Sequence, residues 1–267
     1  MALIGTLTSG VSALKTFSEG LDVIGNNIAN VNTTAYKSSS VSFADTFSNT
    51  LRAASSASSG DTSIQIGTGV QVAGISTNYT QGSLSSTGNS TDLAVSGSGY
   101  FVVQDANGVN YATRDGSFHF DSSGDLVNSQ GFNVLDSTGA KINVANYSTV
   151  SSVSIGTDGT VTAFMSDGTS TSTQKVGLLN IPDQAKLMKQ GNNLYDFSNA
   201  GTTVSDITTA GGSGVGLIES GQLELSNVDL TEQFSDLITT QRSFQAGARL
   251  ITVSDSVLDD VVNLKRS

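Results

Sequence analysis

Cysteine is absent from all 267 residues, which removes disulfides, thiolate metal sites and thiol nucleophiles together. Basic residues are scarce as well. Twelve Lys and Arg stand against 23 Asp and Glu, a net charge of −11, so there is no basic stripe to neutralise phosphates and nucleic acid is not an expected partner. The same deficit disfavours anionic membrane surfaces, and no apolar run approaches the roughly 20 residues that a membrane span requires. The start, Met1-Ala2-Leu3-Ile4-Gly5, lacks the basic region and long apolar stretch of a cleaved secretory signal. Cytoplasmic residence and export by a route that reads no cleaved signal are both compatible with this beginning.

Catalytic and cofactor chemistry is equally thin. His119 is the only histidine and stands between Phe118 and Phe120, with no serine and carboxylate arrangement beside it, so it reads as a structural strand residue. Gly97-Ser98-Gly99 is followed by no helical pattern, as a dinucleotide loop would need, and reads as a turn. The Asp-Gly pairs lack the carboxylate spacing of a calcium loop. No nucleophile, base and orienter can be named together, so neither an enzyme nor a cofactor or metal site is expected.

What the chain does have is a matched pair of helical ends. Leu7, Leu14, Leu21 and Ile28 recur every seven residues, with Leu3, Val11, Phe17 and Ile24 between them. Leu230, Leu237, Phe244, Ile251 and Leu258 repeat the step near the finish, joined by Phe234 and Val261. A sustained heptad marks a helix packed along a narrow stripe against other helices. The first helix is expected from Leu3 to Asn30, weakened by Gly5, Gly10, Gly20 and Gly25, each costing about 1 kcal/mol relative to Ala. The last opens at Asp229-Leu230-Thr231-Glu232, a capping-box pattern, and ends on Lys265 and Arg266, suited to the negative end of the macrodipole.

Between these ends, short apolar runs alternate with turn signals, which is how an antiparallel β region reads. Runs at 70–75, 93–95, 100–104, 111–114, 118–120, 132–135, 153–155, 161–165 and 176–181 are candidate strands. Asn107-Gly108, Asp115-Gly116, Asp158-Gly159 and Asp167-Gly168 are candidates for two-residue hairpins. Residues 33–68 read as an irregular connector, with a loop over Ala53–Gly60. The fold class is thus α+β, mainly β. Residues 1–32 plus 227–267 form a paired helical stem, 33–76 plus 201–226 a connector, and 77–200 a central antiparallel β domain.

Magnitudes bear on whether the stem is self-sufficient. Ten large apolar side chains contribute roughly 15–30 kcal/mol when fully buried, whereas ordering about 60 residues costs on the order of 60–120 kcal/mol, only partly offset by helical hydrogen bonds. Such helices should order fully only when neighbouring copies cover their flanks, as in an assembling homo-oligomer. The Ser- and Thr-rich surface, with charged residues at only 13%, suits self-packing because short side chains have little entropy to lose.

Several motifs carry a resemblance. Leu21–Thr33, which includes Asn26, Asn27, Asn30 and Asn32, Tyr111–Phe118, which includes Arg114, Asp115 and Gly116, and Gly191-Asn192-Asn193-Leu194-Tyr195 resemble signatures of the axial rod and hook proteins of the bacterial flagellum. Ser226–Leu230 with Asn227, Gln241–Gln245 with Gln241 and Arg242, and Val262–Arg266 resemble that family's C-terminal signature. Within the family, Val41–Asp45, Asn227–Leu230 and the Asn-Leu-Lys-Arg ending are most similar to the short form of the hook subunit. The distal rod subunit is the alternative, favoured by length and by a segment over Asn49–Gly67 that resembles an insertion of rod proteins and some hooks. Ala35 stands where the family usually has Gly, and would be strained if that position needs positive φ.

The resemblance implies a structural, non-enzymatic subunit of the flagellar hook and basal body. It would be exported without cleavage through the type III apparatus and polymerised outside the cell into a helical tube whose channel is lined by the terminal helices. Its partners would be other copies, the rod, the hook cap, the hook-filament junction and the export apparatus. A different class, a secreted β-rich module binding glycan or host surface, is the competing reading of the Ser/Thr/Gly-rich strands.

Overall fold

The computed structural model describes residues 2–52, 63–212 and 214–266, with side chains for 5–52, 63–172, 174–212 and 214–263. The chain divides into two units: residues 1–30, 38–78 and 228–267, and residues 31–37 plus 79–227. The expected connector is therefore not a unit of its own. Residues 38–76 are grouped with the helices, and residues 33–37 and 201–226 belong with the β unit.

In the first unit, helix α1 (Ala2–Ala29) and helix α2 (Leu230–Arg266) run antiparallel. Thr6 meets Ser254 at 3.2 Å between hydroxyls and Asn27 donates to Gln233 Oε1 at 2.9 Å, so advancing along one helix retreats along the other. Between these ends, glycines of each helix face side chains of the other. A methyl group on Gly10 would stand 3.0 Å from Ile251 Cγ1, and one on Gly247 would stand 3.5 Å from Leu14 Cδ2. Gly10, Thr16, Gly20, Asn27, Gly247 and Ser254 are the buried positions of the pair. Gly10 and Gly20 thus permit close packing, a gain that their cost in helix propensity hides from sequence.

At the start of α2, Asp229 Oδ1 accepts from Thr231 N at 2.8 Å and Glu232 N at 3.3 Å. That satisfies two of the amides that open the helix without a partner.

The segment after α1 departs from the irregular connector that its composition suggests. Strand β1 (Ser39–Asp45) pairs antiparallel with β4 (Val70–Thr77), and β2 (Ser48–Arg52) pairs with β3 (Ile64–Gly67). Backbone bonds from Thr46 N to Gly69 O and Thr68 N to Phe47 O join the two pairs into one ribbon. Its first half is tied to α1. Phe43 meets Phe17 edge to face with centroids 6.0 Å apart, and the Ser12 and Thr16 hydroxyls bond the backbone of Val70. The predicted loop at Ala53–Gly60 lies outside the described residues.

In the second unit, strand 100–104 pairs with 110–113 on one side and with 133–134 and 177–179 on the other. Successive side chains of a strand point to opposite faces, and both faces are covered. Phe101 and Val103 belong to one buried cluster with Leu126, Val134 and Ile218. Tyr100 and Val102 belong to another with Leu179, Ile181, Tyr195 and Ile207. This explains a continuous apolar run where a half-buried strand would alternate.

The turns share one design. At Asp105, Asp121, Asn128 and Asp136 the side-chain Oδ1 accepts backbone N–H from the residues two and four positions on. The backbone carbonyl of each accepts from a glycine three positions on, and each of those glycines has φ between 82° and 84°. Asn107-Gly108, Asp158-Gly159 and Asp167-Gly168 sit in turns of this length, where only the glycine adopts positive φ. The two-residue hairpins expected from those dipeptides would need it at both central positions. Asp115-Gly116 is different again: Gly116 has no positive φ, but a Cβ there would lie 1.6 Å from Leu93 O.

The close approach at Gly10 yields a test. Gly10→Val should weaken the α1–α2 pair by about 1–3 kcal/mol through overpacking. Circular dichroism melts should show earlier loss of helix with the tyrosine near-ultraviolet signal of the β unit retained; unchanged helix melting would contradict the packing described.

Candidate functional site

Two groups of residues bear on function, one in each unit. On the helices, Leu7, Leu14, Phe17, Leu21, Ile24, Ile28, Leu237, Phe244, Ile251 and Leu258 are half-buried, while Val11, Leu230, Phe234 and Val261 are exposed. Leu3's side chain falls outside the described residues. The heptads thus line the seam without filling it.

Helix α2 also carries apolar residues left exposed, among them Leu230, Phe234 and Val261 of the expected heptad pattern. Leu230, Phe234 and Ile238 are 38–51% exposed, and Leu250, Val253, Val257 and Val261 are 39–60% exposed. At 100° per residue, the first set lies roughly 50–130° to one side of the Phe244–Ile251 line and the second roughly 90–170° to the other. The seam is therefore flanked by one apolar strip toward each end of α2. The β2–β3 part of the ribbon adds Phe47, Leu51, Ile64 and Ile66, of which Phe47 is 91% exposed. Isolated exposed apolar residues are ordinary, but contiguous strips of them mark surfaces that another molecule covers.

The second group gathers the short motifs. Asn193 Nδ2 donates to Thr34 O at 2.7 Å, Thr113 Oγ1 donates to Asn193 O at 2.9 Å, and Thr34 Oγ1 donates to Asp115 Oδ1 at 3.1 Å. Arg114 is 4% exposed, with Nη1 3.2 Å from Glu224 Oε2 and its guanidinium 5.1 Å from the Tyr100 ring centre. Lys37, 1% exposed, reaches Glu224 Oε1 at 2.5 Å and Thr80 O at 2.8 Å. Burial pulls the Lys37 ammonium below its ordinary pKa, and the Glu224 carboxylate opposes that shift. Burial also holds the Tyr100 and Tyr195 phenols well above theirs.

Asn227 donates from its backbone to Tyr36 O and from Nδ2 to Thr80 O. Ala35 adopts φ 56° and is fully buried, the left-handed conformation that Gly tolerates and Ala does not. In the helical unit, Asn27 bonds the backbone of Ser39 in both directions, and Asn30 reaches back to Asn26. Asn32, Gln241 and Arg242 are exposed. Lys37 and Glu224 carry no local sequence signal of their role, since 187 positions separate them.

Three family models match along the chain. Residues 7–37 match the flagella basal body rod protein model, 94–163 the D1 domain model of flagellar hook protein FlgE/F/G, and 219–264 the C-terminal model of the flagellar basal body rod FlgEFG protein. The flagellar basal-body rod protein FlgG of Bacillus subtilis is 40% identical over 267 residues, covering 99% of this chain and 100% of the relative. The chain belongs to the flagellar rod and hook axial protein family.

Among other relatives, the rod protein FlgG of Agrobacterium fabrum is 32% identical over 99% of this chain and 100% of its own length. The flagellar hook protein FlgE of Treponema pallidum is 25% identical in an alignment of 465 residues, again covering 99% of this chain and all of the relative. The expectation of a flagellar axial structural subunit is met, and of its two readings the rod alternative has more support than hook. Stronger likeness lies with proteins named for the rod, at 40% and 32% identity against 25% for the hook protein. Membership also makes this axial subunit structural rather than enzymatic, a component of the flagellum, and one of a group that polymerises with other flagellar parts.

The strain at Ala35 gives a prediction for this axial subunit. Ala35→Gly should stabilise the β unit by about 1 kcal/mol, the relief of left-handed strain less the added chain entropy. Urea unfolding monitored by tyrosine fluorescence would show a raised midpoint; a lowered midpoint would contradict a strained Ala35.

Proposed function

We propose that this chain is the subunit of the distal rod, the rigid drive shaft of the flagellum, polymerised with its own copies into a tube. The observation that carries the choice of rod is the 40% identity, over essentially the full length of both chains, to a protein named as basal-body rod. Support for polymerisation comes from the uncovered apolar strips of α2 and of the β2–β3 ribbon.

Magnitudes favour many neighbours over one. Seven half-exposed apolar side chains on α2 would gain roughly 5–10 kcal/mol on being covered, comparable with the 4–15 kcal/mol that association costs in lost motion. One such contact is marginal. A helical tube gives every subunit several contacts at once, and the ribbon supplies a further surface beyond the helices. The segment Asn49–Gly67, which holds most of β2 and all of β3, resembles the insertion of rod proteins and some hooks. Extra contacts of that kind oppose sliding between subunits, which suits a stiff shaft better than a bending joint.

On this reading the subunit leaves the cell uncleaved through the flagellar type III apparatus. It then meets other rod subunits and, at the end of the shaft, hook subunits. Neither the hook cap nor the hook-filament junction is needed as a direct partner of a rod subunit.

Electron microscopy of tubes assembled from the purified chain is the test. Straight, rigid tubes are expected, and curved, flexible ones would return the assignment to hook. Phe234→Asp combined with Val257→Asp should abolish tubes while leaving the tyrosine signal of the β unit unchanged. Tubes of normal yield from that variant would remove the α2 flanks from the account.

A further inference from the structure

The chain passes between its two units four times, after residues 30, 37, 78 and 227. Within the β unit, three of the segments that adjoin those passages converge on one carboxylate. Glu224 is 1% exposed, and each of its oxygens is engaged. Oε1 accepts from Lys37 Nζ and, at 2.9 Å, from Gly82 N; Oε2 accepts from Arg114; and the backbone carbonyl accepts from Ala35 N at 2.8 Å. Lys37 spends another proton on Thr80 O, and Asn227 adds its own bond to the same carbonyl. Leu225 N completes the set at Ser83 O.

This cluster is an expensive way to fill space. Two cations and one anion are withdrawn from water together, and apolar residues of similar volume at such a site are commonly as stabilising or more so. Directional bonds from one carboxylate to three segments do what apolar packing cannot, because they fix which backbone atom meets which. Among the described residues, the strand that carries Glu224, Gln222–Glu224, pairs with Leu84–Ser86 alone, so its ladder is short. Residues 34–37 are held largely by side chains and by bonds to 224 and 227 rather than by a sheet.

We propose that Glu224 is a latch. It binds the segments 34–37, 80–82 and 224–227 to one another and fixes where the chain enters and leaves the β unit, while the sheet folds without it. Because Lys37 lies 187 positions and Arg114 110 positions before it, the latch closes only when the C-terminal end of the unit arrives.

The test is amide hydrogen exchange on the full chain carrying Glu224→Gln. Exchange should rise roughly tenfold or more at 35–37, 82 and 225–227, reporting local opening, with strands 100–104 and 177–179 unchanged. Equal acceleration across those strands, or no change at either place, would overturn the proposal. A second variant guards against loss of folding: Lys37→Met, Arg114→Met and Glu224→Met together keep the volume and remove the charges. It should fold with a protected sheet and the same loosened segments. Wild-type protection of those segments in the triple variant would show that packing alone is the cluster's role, and failure of the triple variant to fold would show that the sheet itself needs the charges; either result overturns the latch.

Discussion

The first unit depends on how closely two helices can approach. At Gly10 a Cβ would stand only 3.0 Å from Ile251 Cγ1, so a larger residue there would hold α1 and α2 apart, while Gly247 lies in ordinary contact range of Leu14. A seam of small residues buries backbone well and large side chains only in part. The heptad residues are consequently left half-buried, and the flanking strips of α2 are left outside the seam altogether. Helix pairs of this kind are incompletely satisfied as single molecules, since most helical stability in water comes from packing an apolar face. Neighbouring copies, in the assembly proposed above, would complete it.

The second unit has the opposite character. Its sheet is covered on both faces, its turns are closed by side-chain carboxylates and amides onto their own backbone, and its motif residues are spent on internal bonds. Arg114, Asp115 and Gly116 act inside the fold: one pairs with Glu224, one accepts from Thr34 and Ser117, and one makes room for Leu93 O. A motif that looks like an interaction signature can thus be a folding requirement, and the assembly surface is to be sought in apolar strips that have no motif at all.

How much of this was legible in the sequence follows from how local each signal is. Both helices are visible because a period of seven persists over several turns, and Asp229 announces its own cap. Strand 100–104 was legible from an unbroken apolar run. The ribbon was not, because Ser39–Asp45 and Ser48–Arg52 carry few apolar residues and their partners lie some way along the chain. Strand Ser170–Lys175 is wholly polar and exists through its pairing with Thr160–Met165. The glycine seam reads as weakness in one helix and becomes sense only when the second is placed against it. The bonds among Lys37, Arg114 and Glu224 join residues too distant for any window to connect. The short motifs pointed to hook, whereas identity along the whole chain is greater to relatives named for the rod.

In the proposed assembly, both helices are finished only by contact with other copies. Hydrogen exchange of α1 and α2 amides, compared between dilute monomer and assembled tube, addresses this directly. Fast exchange of both helices in the monomer, slowed strongly in the tube while the β unit stays protected in each, is the predicted result. Helices already as protected in the dilute monomer as in the tube would contradict it.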